Sequence, residues 1–270
     1  MLVMLAPSFD GSNEAYARLV KATGMLAYDL KSRIKPGVWG VVRALADEHE
    51  AHKLTQRLLA EGLPALIVPR EVAHDPNRRI VTIRALQLSG DHLVLHLRER
   101  EMAIPFGALT CIVRGEVLTG HVPHGGAPSS ATFRAVAPST GDVQVFRESV
   151  SASNFDAYTA ADLHFATVLW VARLDARSFD FSTLGLASDS PASDLDQLVD
   201  VLSERSGVRV DRGVRASSVV STLTQTANAR AGGPSQAPRS RESQSDERFD
   251  PYSRVIGEAE RLLAQARKVA

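Results

Sequence analysis

The chain has 270 residues and a mass of 29.1 kDa, which at about 100 to 200 residues per domain predicts roughly two domains. Its 31 basic and 31 acidic side chains cancel, and a pI of 7.1 supplies neither the basic stripe of a nucleic-acid surface nor an acidic tail. A 44% hydrophobic share suits ordinary globular cores, and no apolar run approaches the roughly 18 residues of a membrane helix, so neither nucleic acid nor membrane is an expected partner.

The opening run Met1 to Pro7 has no basic n-region, and the single cysteine permits no internal disulfide, so the expected location is the cytoplasm. In chain order, Leu2 to Ala6 reads as a strand, and Asp10-Gly11-Ser12 starts a helix with Ala15, Tyr16, Leu19 and Val20 on one face and Gly24 as its stop. A short second helix carries Met25, Leu26, Leu30 and Ile34 up to Pro36-Gly37. Val38 to Leu45 is a strand, Asp47 caps a third helix lined by Ala51, Leu54, Leu58 and Leu59, and Leu63 to Pro69 is a strand again. Residues 1–72 are therefore expected to form a β-α-α-β-α-β sandwich, a small sheet with its helices on one face.

The run Leu19-Val20-Lys21-Ala22-Thr23-Gly24, the helix carrying Lys31, and Glu50-Ala51 with Leu54, Leu58, Leu59, Glu61 and Gly62 resemble the C-terminal domain of ribosomal protein L7/L12. The ClpS-type adaptor domain shares that general fold. The resemblance covers the first quarter of the chain and implies a small docking module whose first two helices present a basic face. Arg18, Lys21, Lys31 and Arg33 supply part of such a face here, interrupted by Glu14, Tyr16 and Asp29.

The polar stretch 70–79 marks a boundary, and a β-rich domain is expected over 78–215. Ile80 to Leu88 and His92 to Arg100 read as a hairpin around Ser89-Gly90-Asp91, followed by Met102 to Ile104. Leu109 to Val117 is apolar on both faces and so is expected at the centre of a sheet, with Cys111 buried and inert within it. After a loop at 121–130 come candidate strands at Thr132 to Ala137, Val143 to Phe146, Asp162 to Phe165 and Val168 to Leu174, with Phe179 and Phe181 packing behind them. A closing helix at 193–206, capped by Ser193, buries Leu195, Leu198, Val199 and Leu202. A meander closed by one helix is similar in layout to pleckstrin-homology-like and GRAM-like modules. Val208 to Arg212 is one more strand or a packed extension.

Residues 224–250 have too little apolar surface to offset ordering entropy and are expected to be a disordered linker. Asp250-Pro251 then supplies an N-cap and a first-turn proline for an amphipathic helix over 251–269. Such a helix is marginal alone, so Val255, Ile256, Ala259, Leu262 and Leu263 are the expected anchors, either for another protein or for the chain's own globular part.

No catalytic elbow, phosphate loop or dinucleotide fingerprint is present, and no cofactor is expected. His49 and His52 read as a solvated first helical turn, and His121 and His124 as loop residues. The leading expectation is an α+β, non-catalytic cytoplasmic adaptor. One alternative is a small metal-dependent or hydrolytic enzyme using His92, His96 and His164. Another, implied by the resemblance alone, is a factor associated with the translation apparatus.

Overall fold

β1 (Leu2–Leu5) is buried on both faces, and its period-two alternation sends Val3 and Leu5 into one core and Leu2 and Met4 into another. It pairs antiparallel with β2 (Gly40–Ala44) on one side and β3 (Ala65–Val68) on the other, giving the order β2-β1-β3. α1 (Asn13–Thr23), α2 (Ala27–Arg33) and α3 (Glu48–Ala60) cover the first face, with Leu19, Leu30, Leu54 and Leu58 buried against Val3, Leu5 and Val42. The local signals act as expected: Ser12 Oγ accepts from the Ala15 amide at 3.0 Å, Gly24 ends α1 with φ at 67°, and Asp47 accepts from the His49 amide at 2.7 Å. The order β-α-α-β-α-β is the expected one. The second face of this sheet is also covered, which the first seventy residues alone do not indicate.

The computed structural model describes residues 1–97, 100–121, 130–136, 143–149, 154–214, 217–223 and 246–269, and across them the chain is mixed α+β. Beyond a 3-10 turn at Arg70–His74 lies a five-stranded sheet. It contains β4 (Ile80–Ile83), β8 (Leu109–His121), β11 (Asn154–Phe165), β12 (Val171–Asp175) and β13 (Val210–Asp211) in the order β13-β8-β11-β12-β4. β8 and β11 are antiparallel with His164 opposite Cys111, whereas β4 runs parallel to β12 and β13 parallel to β8. A second, antiparallel sheet holds β5 (Ala85–Ser89), β6 (His92–His96) and β7 (Glu101–Pro105). β9 (Ser130–Val136) and β10 (Val143–Ser149) form an antiparallel pair.

The expected hairpin at 80–100 is thus shorter than its sequence pattern. Ile80 to Ile83 leave it at Arg84 to pair with β12, a strand buried at every position. β8 is central, as expected: Ile112 faces one core, and Cys111 and Val113 the other. Phe179 and Phe181 pack with ring centroids 4.8 Å apart.

α4 (Pro191–Ser206) places Leu195, Leu198, Val199 and Leu202 in the core shared with Leu86, Leu93 and Leu95 of the three-stranded sheet. Its cap is Ser190 rather than Ser193, because Pro191 has no amide to satisfy and fits the first turn. A helical stretch at 218–223, α5, is fixed to the edge of β2: Ser218 Oγ accepts from the Val41 amide at 2.8 Å and Ser217 Oγ donates to the Trp39 carbonyl at 2.6 Å. The expected loop residues 122–129 and the linker up to 245 lie outside the described residues. Residues 246–250, by contrast, are helical. The last helix, α6 (Asp246–Val269), starts before the expected Asp250 cap and carries Pro251 inside it.

Candidate functional site

α6 lies between the second face of the N-terminal sheet and the face of the five-stranded sheet opposite α4. One continuous core contains Leu2, Met4, Val41 and Val68 from the first sheet, Cys111, Val113 and Ala160 from the second, and Phe249, Tyr252, Val255, Ile256 and Ala259 from the helix. The expected anchors Val255, Ile256 and Ala259 are therefore fully buried against the chain's own globular part, and Leu262 and Leu263 pack half-buried at its edge. The approach is close. A Cβ at Gly257 would overlap the imidazole of His164, and one at Gly115 would overlap the ring of Phe249, so both positions require glycine.

Around this apolar centre runs a series of polar links, spaced along the helix. Asp250 accepts from Arg173 at 2.7 Å, and the same guanidinium makes a two-pronged contact with Asp162 at 2.7 and 2.8 Å and stacks 5.0 Å over Phe249. Tyr252 Oη donates to Asp211 at 2.6 Å, and Ser253 Oγ lies 2.9 Å from His164 Nε2. Arg254 donates to the Ala73 carbonyl at 3.1 Å, and Glu258 accepts from Arg78 at 2.6 Å. Glu260 accepts from the Trp39 indole at 2.9 Å and from Arg209 at 3.2 Å. The packing seen at Phe249 and the Asp250 to Arg173 pair explain the early start of α6: both hold the turn ahead of Pro251 against β8 and β12.

Burial sets the protonation of this seam. It lowers the His164 pKa to about 4, opposed by Asp162 and assisted by Arg78 and Arg173, so the ring is neutral at pH 7. It pushes the Cys111 thiol well up, with Glu260 and Asp211 adding to the effect. Burial likewise raises Tyr252, and Asp250 is raised by burial with Asp162 adding to it, against the opposing pull of Arg173. For Glu258 burial pulls upward but is outweighed by hydrogen bonds from Arg261 and Arg78, which hold the carboxyl below its usual range. Ser253 is completely buried, so its contact with His164 offers a substrate no approach and acts as a structural link.

The three histidines of the enzyme alternative are not brought together. His92 lies beside Asp91 at 2.5 Å and His96 beside Glu101 at 3.0 Å on the three-stranded sheet, whereas His164 is on the five-stranded sheet beneath α6. Among the described residues no group of three or more His, Cys, Asp or Glu is arranged to hold a metal ion, and no helix is long and apolar enough to cross a membrane. His52 sits 3.6 Å from Glu48 on an exposed turn. His124 lies outside the described residues.

The basic face implied by the resemblance is partly tied down. Arg18 donates to the Glu61 carbonyl at 3.1 Å, Lys21 pairs with the Glu61 carboxylate at 2.8 Å, and Lys31 donates to Asn13 at 3.2 Å while lying 5.3 Å over the Tyr16 ring. Beside them stand two apolar side chains left in solvent, Leu26 at 73% and Tyr28 at 82% exposure. Leu26 was expected on the buried side of the second helix. It instead caps α2 from outside, and Leu30 and Ile34 fill the core there with Met25 packed half-buried at its edge.

Sequence reasoning missed Asp162, Arg173, Arg78, Ser253 and Gly257. Two signals mark most of them: the charges Asp162 and Arg173 placed among the apolar residues of strands, and the small residues Ser253 and Gly257 four apart on one helix face, whereas Arg78 sits in a turn and carries no such signal. Comparison of the chain with protein-family models, with curated proteins and with solved structures gave no match.

Proposed function

We propose that this chain is a non-catalytic cytoplasmic adaptor that docks a partner protein on the α1–α2 face, with α6 serving as an internal clasp rather than as the docking element. The observation that carries the reading is the pair Leu26 and Tyr28, 73% and 82% exposed, standing beside the exposed cations Lys31, Arg33 and Lys35. Large apolar side chains left in water beside a cluster of cations, with Asp29 the acidic residue among them, suit a mainly acidic segment bearing an apolar anchor. The resemblance of the first quarter of the chain to a docking domain supports the same surface. The burial of Val255, Ile256 and Ala259 supports the clasp, since those side chains are already covered within the chain.

The test is affinity capture with the intact chain and with a Leu26→Ser, Tyr28→Ser double variant. Both side chains are exposed, so the variant keeps its circular dichroism and melting temperature. The expected result is a captured protein that is lost with the variant and with 0.5 M salt. Capture that is identical for both chains overturns the reading.

A further inference from the structure

A cleft of about 290 Å³ opens on the side of the five-stranded sheet's edge strand, lined by Asn77, Arg79, Val81, Leu97, Arg100 and Trp170. Three chain segments build it. Arg79 and Val81 alternate along the lead into β4 and so share one side, Asn77 reaches the cleft from the turn before them, and Arg78 is buried on Glu258 instead. The Val171 amide donates to the Arg79 carbonyl at 2.8 Å, which sets Trp170 beside Arg79, and the Leu97 amide donates to the Arg100 carbonyl at 2.9 Å, which holds Arg100 beside Leu97. The walls are therefore held by backbone hydrogen bonds. The indole of Trp170 is further braced by Phe165, with ring centroids 6.0 Å apart.

The chemistry of the lining is specific. Neither the Arg79 nor the Arg100 guanidinium has a hydrogen-bonding or ion-pair partner among the described residues, in contrast to Arg78 one position away, and both are exposed. Two guanidinium forks without a partner among the described residues, at one opening, fit an oxyanion, a carboxylate or a phosphate, which accepts two parallel N–H bonds from each. The half-buried indole with Val81 and Leu97 offers a flat apolar wall, and Asn77 adds one donor and one acceptor. The volume is at the small end of ligand sites, enough for a body of one or two fused rings.

We propose that this cleft binds a small planar aromatic anion, its ring on Trp170 and its oxyanion between Arg79 and Arg100. The site is separate from the α1–α2 face and stands whether or not that face docks a protein.

The test uses the intact chain and two probes, 2-naphthoate for the carboxylate source and adenosine 5′-monophosphate for the phosphate source. Binding is followed by calorimetry and by tryptophan fluorescence. Trp39 is fully buried, so a change in fluorescence on titration reports Trp170. The expected result is saturable binding of one probe with a Kd below about 1 mM, weakened about tenfold or more in the Arg79→Gln, Arg100→Gln double variant. Trp170→Leu removes the fluorescence response and weakens the calorimetric affinity, and Arg57→Gln, an exposed change on α3, leaves binding as it was. The neutral isostere 2-naphthalenemethanol fails to compete. Saturation by neither probe up to about 10 mM overturns the proposal, as does equal affinity in the double variant and the original chain.

Discussion

Acidification singles out the contact between His164 and α6. The ring is neutral in the fold, with a pKa near 4, against 6.5 for a free imidazole. The unfolded chain therefore binds a proton more readily than the folded one, so the stabilisation is complete above pH 6.5 and is lost as pH falls towards 4. The full span corresponds to about 3 kcal/mol, and at pH 5 the loss is about 2 kcal/mol. The ring is buried between Ser253, Gly257, Asp162, Arg78 and Arg173, so no screening by solvent reduces that figure. Asp250, raised by burial, responds in the opposite sense, which makes a comparison with the His164→Gln variant necessary, since Asp250 is present in both chains. Urea unfolding at pH 7.5 and pH 5, followed by Trp39 beneath α6, should show a pH response about 2 kcal/mol larger in the original chain than in the variant. Equal responses within about 0.5 kcal/mol would refute a neutral, buried His164.

Gly257→Ala, which drives a methyl group into the His164 ring, is expected to cost about 1–3 kcal/mol in urea unfolding, and an unchanged midpoint would contradict the close approach. Ile256→Ala, at a fully buried position, is expected to cost about 2–5 kcal/mol. Because Cys111 lies under the same helix, labelling of its thiol under native conditions should then quicken by about thirtyfold or more, and an unchanged rate would show that α6 does not govern access to it. Asp162→Asn leaves the Arg173 guanidinium buried with only Asp250 as a charged partner and should lower stability by about 3–5 kcal/mol, read from the thermal midpoint.

What the sequence makes legible is what short-range chemistry decides. Ser12, Gly24, Asp47 and Gly207 act through hydrogen bonds and backbone conformations within a few residues, so the helix ends they mark are in place. Even there Ser190 displaces Ser193, because the proline that follows it is itself a start signal. The central position of β8 is legible because apolar residues on both faces leave few other environments. The parallel pairing of β4 with β12 joins segments some ninety residues apart and leaves no local trace beyond an apolar run that suits the hairpin as well. Pro251 illustrates the same limit. Its chemistry favours the first turn, but Phe249 against Gly115 and Asp250 on Arg173 are contacts made far along the chain, and they extend the helix past it. Lys21 and Arg18 read as free cations because Glu61, forty residues later, is invisible to helical spacing.

The seam beneath α6 is polar where an apolar helix face would serve stability equally well. A buried ion pair gains little over packed aliphatic side chains, since the Coulombic attraction is largely cancelled by desolvation. Its effect is positional. A purely apolar stripe slides by one helical turn at small cost, whereas Asp250 on Arg173, Ser253 on His164, Glu258 on Arg78 and Glu260 on Arg209 admit one register only. The same links make α6 costly to release. A protein that took α6 for itself would strand Arg173, Arg78, Asp211 and the Trp39 indole without their helix partners and expose Cys111, Val113 and Met4 to water. Leu26 and Tyr28 carry no such commitment: covering them breaks no hydrogen bond of the fold and removes apolar surface that already faces solvent. Covering Leu26 and Tyr28 would therefore cost the fold far less than releasing α6, which packs between the two sheets.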